Sequence, residues 1–545
     1  MSRNVLVDLL RRAYNVVQFS NASDIPIDEA QGVLNEQISR RRVLQAGITL
    51  AGGLALQPGQ IIKPGWIANA SDAVSSESKV LIVGAGIAGL TAAYRLRQAG
   101  VPVDVVEARP QVGGRLRSLR NVPGIAHSAE LGGEFIDTRH TAVRAIASEL
   151  GLQMADLRAA DVGLEPEILF FQGRRIPHQQ VIEAFAPLAQ RITQDLQTLG
   201  KRDLTYRAPS PDAIRLDRLS LEEYLNAAPI DSVINQLVQA AYITEFGMDA
   251  GSQSCLNMLF LIGTEIGKWS TYGVSDERWH VVGGNDQIPR TLAKLVDSSI
   301  ETGTELESIR TAPDGRYRVS LRQGSTSIER TYERILLTVP FSVLRYVELA
   351  VDLPPVKQKA IAELGYGFSS KLATPYRDRI WRNRYGSTAS IYTDLAFQNT
   401  WESARYSEGS GGWLTNLRGG FQGIVLGSGS PEMHAQALAS NLEPLFPGIS
   451  QVQRGRSVRL FWATEPYALG SYSCYQPGQW TSIAGSEGER VGNLWFAGEH
   501  CSLASQGYMN GACETAELAA LSILQDLGLK AAVAQQTEKV AIALS

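Results

Sequence analysis

Four cysteines in 545 residues, Cys255, Cys474, Cys501 and Cys513, form no CxxC pair. A dithiol redox centre and a metal site are therefore unsupported, and Cys255 and Cys513 read as small buried residues. Basic residues form no stripe and the net charge is −4. Without such a stripe to neutralise a phosphate backbone, nothing points to a nucleic-acid partner. The apolar stretch Ala46 to Leu56 is about a dozen residues long, too short for a stable membrane span. No internal repeat is evident. What remains is an ordinary globular composition, 44% hydrophobic and 19% charged, long enough for two large cores.

The N-terminus reads as a leader. Ser39-Arg40-Arg41-Arg42-Val43-Leu44-Gln45 resembles the twin-arginine export signal, with Val and Gln in place of its Phe and Lys. The apolar stretch follows, then Ala68-Asn69-Ala70, a small-x-small cleavage pattern. Export to the periplasm with cleavage after Ala70 is the expectation. An N-terminal membrane-surface helix is the alternative. Val5 to Val17 looks helical and amphipathic, with no role assigned.

Past the leader, Lys79 to Val83 is a continuous apolar run typical of a buried parallel strand. Gly84-Ala85-Gly86-Ile87-Ala88-Gly89 follows directly. A helix is predicted over Leu90 to Gln98, then a strand over Val101 to Val106 ending at Glu107. This is the context a dinucleotide fingerprint requires. Gly84 permits a tight turn, Gly86 lets a pyrophosphate approach, and Gly89 allows close helix–strand packing. The helix N-terminus offers N–H groups to phosphate, and Glu107 can accept from a ribose diol. Arg109 and the Gly113-Gly114-Arg115 turn come next. There a guanidinium can clamp pyrophosphate bidentately. Gly132-Gly133-Glu134-Phe135 adds a glycine pair suited to backbone lying against a planar ring.

With these segments the chain resembles the flavin-containing amine oxidase superfamily, in which the Gly-Gly-Arg turn binds FAD. The resemblance extends over roughly residues 78 to 527. Asn493 to Glu499 matches the family's second FAD segment, whose Glu, here Glu499, meets the ribityl chain. Gly507-Tyr508-Met509-Asn510-Gly511-Ala512 opens a helix predicted to run to about Leu527, its N-terminus implied to face the flavin's N1–C2=O edge. Gly283 to Gln287 and Ile300 to Ile309 match the central cofactor segment, with Leu306 at a backbone contact to adenine. Gly84, Gly86, Ala88, Gly89, Glu107, Arg109, Gly114, Arg115, Gly132, Gly133, Glu134, Leu306, Glu499, Tyr508 and Met509 are thus the implied cofactor residues.

The resemblance also implies the substrate side. Lys371 falls where the family holds a water against flavin N5. Trp462, Tyr472 and Tyr508 fall on its aromatic constellation, the two tyrosines forming a cage. Ser471 stands where monoamine oxidases link the flavin through a cysteine, so noncovalent FAD is expected. Phe135 stands where many L-amino acid oxidases hold the substrate carboxylate with an arginine. Burying a carboxylate without a partner is expensive, so a simple amine is the easier substrate unless Arg139 or Arg405 serves. The implied reaction is oxidative deamination, giving an imine, then carbonyl and ammonia, with O2 reduced to hydrogen peroxide. An L-amino acid oxidase or dehydrogenase, and a flavin-binding protein without turnover, stay open.

The implied architecture is α/β: a Rossmann-type FAD domain built from residues 71–140, 281–350 and 485–530, with an α+β substrate domain from 141–280 and 351–484. Residues 531–545 are left as a tail, and homodimerisation is left open. Helices are predicted over Val181 to Leu199 and Ser220 to Thr244 from apolar spacing. Strands are predicted at 316–322, 328–338 and Ser457 to Trp462.

Overall fold

Three distant stretches of sequence supply one parallel sheet. Its order is Leu494–Phe496, Arg334–Leu337, Val80–Val83, Val103–Glu107, Ile300–Thr302, and every neighbouring pair is parallel. Val80 to Val83 are all buried, as expected of a strand covered on both faces. The computed structural model describes residues 79–120, 128–200, 204–403, 405–406 and 409–544, all within one compact unit, Val74–Ser545. Val5–Val17, Ser39–Gln45, Ala46–Leu56 and Ala68–Ala70 lie outside the described residues.

The helix Ile87–Gln98 starts directly from the glycine turn. It packs with helices Gln287–Val296 and Met509–Asp526 on the sheet. The second sheet is a meander, Thr326–Tyr332, Tyr317–Gln323 and Thr304–Thr311, with Glu348–Ala350 added in parallel. The stretch 328–338, read from sequence as one strand, divides: Thr326–Tyr332 pairs in the meander and Arg334–Leu337 enters the parallel sheet. Both parts are β-prone, and only their separate partners distinguish them. Leu306 lies at a β-bulge of the meander.

The third sheet has seven strands, in the order Val458–Phe461, Ser370–Tyr376, Gly412–Arg418, Asn399–Ser403, Ile391–Thr393, Ile168–Phe171, Arg174–Arg175. It joins residues from 141–280 to residues from 351–484. Helices of the first stretch cover it. His178–Leu199 forms as predicted, but Ser220 to Thr244 is two helices, Leu221–Asn226 and Ser232–Phe246. Ser220 closes a capping box with Glu223, and Asp231 caps the second helix by accepting from Val233 N. These local stop and start signals overrode the continuous apolar spacing. The last residues are no loose tail: helix Lys530–Ala543 packs on Met509–Asp526, with Gln536 Nε2 donating to Glu517.

Helix Ser232–Phe246 ends at Gly247, which adopts φ +66°. A Cβ there would lie 2.4 Å from Ser369 Oγ and 3.0 Å from Gly367 Cα. Gly247 O accepts Phe368 N and Gly420 N at 2.6 and 3.0 Å. The helix end is therefore joined to the residues that lead into the strand carrying Lys371.

Candidate active site

At one end of the site lies the glycine turn. Gly84 has φ +106°, and a Cβ on Gly89 would fall 2.0 Å from Gly84 O. Helix Ile87–Gln98 has Gly86 as its N-cap and no side-chain cap, and Ala88 is buried in its first turn. Glu107 is buried and accepts Ala85 N and Arg109 N at 2.8 and 2.9 Å. Burial pushes its carboxyl above the usual range. Arg109 Nη1 donates to Gly114 O at 2.9 Å. Arg115 Nη1 bridges Ser471 O and Glu499 Oε1, at 2.9 and 2.7 Å. Glu499 also accepts Ser473 Oγ and Gly507 N. Burial raises the Glu499 carboxyl, but Arg115 and these donors outweigh it and hold it below the usual range.

The glycine pair 132–133 is held from several sides. A Cβ on Gly132 would lie 2.0 Å from Arg115 O, and one on Gly133 would lie 2.9 Å from Met509 Sδ. Asn285 Nδ2 donates to Gly133 O and Glu134 O. Trp462 is buried and its indole N–H donates to Leu131 O at 3.0 Å, so this ring braces the loop. Lys371 Nζ donates to Gly132 O at 2.9 Å, Glu134 Oε2 at 2.9 Å and Glu130 O at 3.4 Å. Ser403 Oγ reaches the other oxygen of Glu134 at 2.7 Å. Burial raises the Glu134 carboxyl, but Lys371 pulls it below the usual range. Lys371 Nζ also lies 5.1 Å from the centre of the Trp401 ring.

The two tyrosines follow backbone already placed here, since Ser471 O accepts Arg115 and Gly507 N donates to Glu499. Tyr472 Oη donates to Thr244 O at 3.3 Å, and Tyr508 Oη to Glu245 Oε1 at 2.7 Å. The His140 ring lies 5.0 Å from that of Tyr508. Burial pulls His140 down to about 4, so it is neutral at pH 7. Tyr472, Tyr508, Phe135, Glu245 and Glu277 each keep some accessible surface. Burial raises Glu245 to about 7 and Glu277 to about 8, the latter pushed further by Glu245. Among the described residues neither acid has an ion-pair partner. Asp137 Oδ1 accepts the N–H groups of Asp276 and Glu277 and the Ser275 hydroxyl. It thereby holds Glu277 at φ +44°.

Sequence reasoning missed Glu245, Glu277 and Asp137. An acid two residues before a glycine, at the end of the apolar stretch Val233–Phe246, was a usable signal for Glu245. Glu277 had none, because its approach to Glu245 is purely tertiary.

Phe135 packs against Trp401, with ring centres 5.4 Å apart, and beneath the Arg405 guanidinium at 5.4 Å. Arg405 Nη1 donates to Asp161 at 2.7 Å, and Arg139 pairs with Asp137 at 3.4 Å. Cys474, three residues past Ser471, is fully buried.

The residues fit FAD. Backbone crowding leaves no room for side chains at Gly89 or Gly132, and two helix N-termini, Ile87 and Met509, begin without side-chain caps. Comparison with known proteins agrees. The profile of the family described as flavin containing amine oxidoreductase matches residues 87–524. The chain is 23% identical over 479 residues to an L-amino-acid oxidase of Siganus canaliculatus, covering 83% of this chain and 86% of that one. It is 24% identical over 485 residues to amine oxidase [flavin-containing] B of Cavia porcellus, covering 84% and 88%. Among solved structures it is similar to cyclohexylamine oxidase from Brevibacterium oxydans, with TM-score 0.71, 20% identity, and coverage of 83% of this chain and 100% of that one. It is equally similar to putrescine oxidase bound to putrescine, with TM-score 0.71, 20% identity, and coverage of 82% and 99%. These two likenesses show the fold.

Proposed function

The chain belongs to the flavin containing amine oxidoreductase family, and from that premise we propose that it oxidises amines bearing no carboxylate beside the reacting nitrogen. It is an FAD-dependent enzyme. FAD, when bound, accepts hydride from the carbon bearing nitrogen and returns the electrons to O2 as hydrogen peroxide. The oxidised amine is an imine, which hydrolyses to carbonyl and ammonia.

The protein's residues bind and orient. The 84–89 turn and Arg109 suit the pyrophosphate, Glu107 the adenosine ribose, and Arg115 with Glu499 the far side of the cofactor. Lys371 fixes the Gly132–Gly133 backbone through its donation to Gly132 O. Tyr472 and Tyr508 flank the substrate and shield its carbon from water.

The charge around the tyrosines carries the preference for amines. Glu245 is hydrogen-bonded to Tyr508 and Glu277 lies close by, while Arg405 and Arg139 are engaged by Asp161 and Asp137. A substrate carboxylate would meet acids at Glu245 and Glu277, and the guanidinium over Phe135, that of Arg405, is already paired with Asp161. The test offers FAD-loaded protein primary amines, diamines and L-amino acids without oxygen, then with it, and follows flavin bleaching and peroxide. Amines should bleach the flavin. Bleaching by L-amino acids alone would overturn this reading. No bleaching by either would favour a flavin-binding protein without turnover.

The Ser39–Gln45 and Ala68–Ala70 motifs support export by the twin-arginine route to the periplasm. N-terminal sequencing of the mature protein tests it, and a start at Ser71 is the expected result. A homodimer is the oligomer we put forward for test by sedimentation.

A further inference from the structure

Glu245 sits on the last turn of helix Ser232–Phe246, with Oε1 taken by the Tyr508 hydroxyl at 2.7 Å. One residue earlier, Thr244 O receives the Tyr472 hydroxyl. A cation entering between the two rings therefore meets a carboxylate at the negative end of a helix. Ring faces add to the attraction for an ammonium. An ammonium, however, has no lone pair to support loss of hydride from its carbon. It must lose a proton first.

We propose that Glu245 is a catalytic residue that takes the ammonium proton of the incoming amine, leaving the amine neutral between Tyr472 and Tyr508. This rests on the amine reading above. One N–H bond breaks and its electron pair stays on nitrogen. One O–H bond forms on the carboxylate, and no redox change occurs in this step. Tyr508 occupies Oε1, so Oε2 is the acceptor. The helix end that carries Glu245 is fixed through Gly247 O to Phe368 N and Gly420 N, and the carboxylate is oriented by the Tyr508 hydroxyl.

The surroundings suit this task. Burial brings Glu245 to about 7, while Tyr508 and Arg139 draw it down and Asp137 pushes it up. Glu277 faces it from the 275–277 loop, and Tyr272 and Tyr392 lie within its field. Tyr242, on its own helix, does so too. A base is most effective when it titrates near the working pH.

The test uses FAD-loaded wild type, Glu245→Gln, Glu245→Asp, Tyr508→Phe and Glu277→Gln, each checked for its flavin spectrum. kcat/KM for a primary amine is followed from about pH 6 to about pH 10. In parallel, an amine lacking hydrogen on its α-carbon is titrated and its binding read from the flavin absorbance. Wild type should gain activity and affinity as pH rises through neutrality. Glu245→Gln should lose roughly 100-fold or more in kcat/KM at pH 7. That loss should shrink as the pH approaches the amine's own ionisation, where solvent supplies neutral amine. The binding step near neutrality should vanish with it. Glu245→Asp should keep an acidic limb, and Tyr508→Phe should move it to higher pH, since the lost hydrogen bond favoured the ionised acid.

A Glu245→Gln deficit equal at every pH, or an acidic limb lost only in Glu277→Gln, overturns the assignment while amine oxidation stands. A wild type that no amine reduces overturns the amine reading, and the assignment with it.

Discussion

Tyr472 and Tyr508 hang from consecutive residues of one helix end, their hydroxyls meeting Thr244 O and Glu245 Oε1. Their separation thus depends on where helix Ser232–Phe246 stops. Gly247 sets that stop. Gly247→Ala forces a side chain into φ +66° and against Ser369 and Gly367. The expected cost is about 1–3 kcal/mol, with a larger rise in KM than loss of bound FAD. Thermal unfolding and steady-state kinetics check it. An unchanged KM would show that the helix end does not set the cage.

Lys371 and Glu134 form a buried ion pair at 2.9 Å. Lys371→Met leaves the buried carboxylate without its charge partner and should cost about 3–5 kcal/mol, with turnover sharply reduced. Adding Glu134→Gln should restore most of the stability, since no buried charge then remains, but not the turnover. Denaturant unfolding of the single and double variants reads the coupling. Recovery of turnover in the double variant would deny Lys371 a part in the chemistry.

Glu245 and Glu277 are raised in the folded protein to about 7 and about 8, above the ordinary carboxylate range. The folded state then binds more protons than the unfolded state between about pH 4.5 and 8, so these two acids lower stability as pH rises through that window. Glu245→Gln and Glu277→Gln should each gain roughly 1–3 kcal/mol at pH 8 relative to wild type, and little at pH 5. Melting temperatures at the two pH values measure it. An equal gain at both would mean that the acids are not held protonated.

By sequence resemblance Ser471 matches the position at which monoamine oxidases carry a linking cysteine, and Cys474 is fully buried. Acid precipitation should therefore leave all yellow colour in the supernatant. Colour retained in the pellet would establish a covalent bond. Arg115→Ala should weaken FAD retention and also destabilise the apoprotein, because Glu499 loses its 2.7 Å partner.

The cofactor half of the molecule was legible because its signals are local. Gly84, Gly86 and Gly89 lie within one turn, and crowding at Gly89 is decided by a residue five positions earlier. Lys371, Tyr472 and Tyr508 could be named as candidates because the motifs that carry them are contiguous in sequence. The division of 328–338 was not, because strand-forming residues do not name their partners. Nor was the break within Ser220 to Thr244 read from apolar spacing, although the Ser220–Glu223 box and Asp231 mark it.

The sequence by itself determined the nucleotide-binding turn and the FAD class, since both rest on residue type and short spacing. Only the tertiary structure decided the charge around Tyr472 and Tyr508. Glu245 comes from a helix end, Glu277 from a loop held by Asp137, and Arg405 is engaged by Asp161 from yet another segment. An acid's ionisation depends on burial and on neighbours brought from far along the chain, and no local pattern records either.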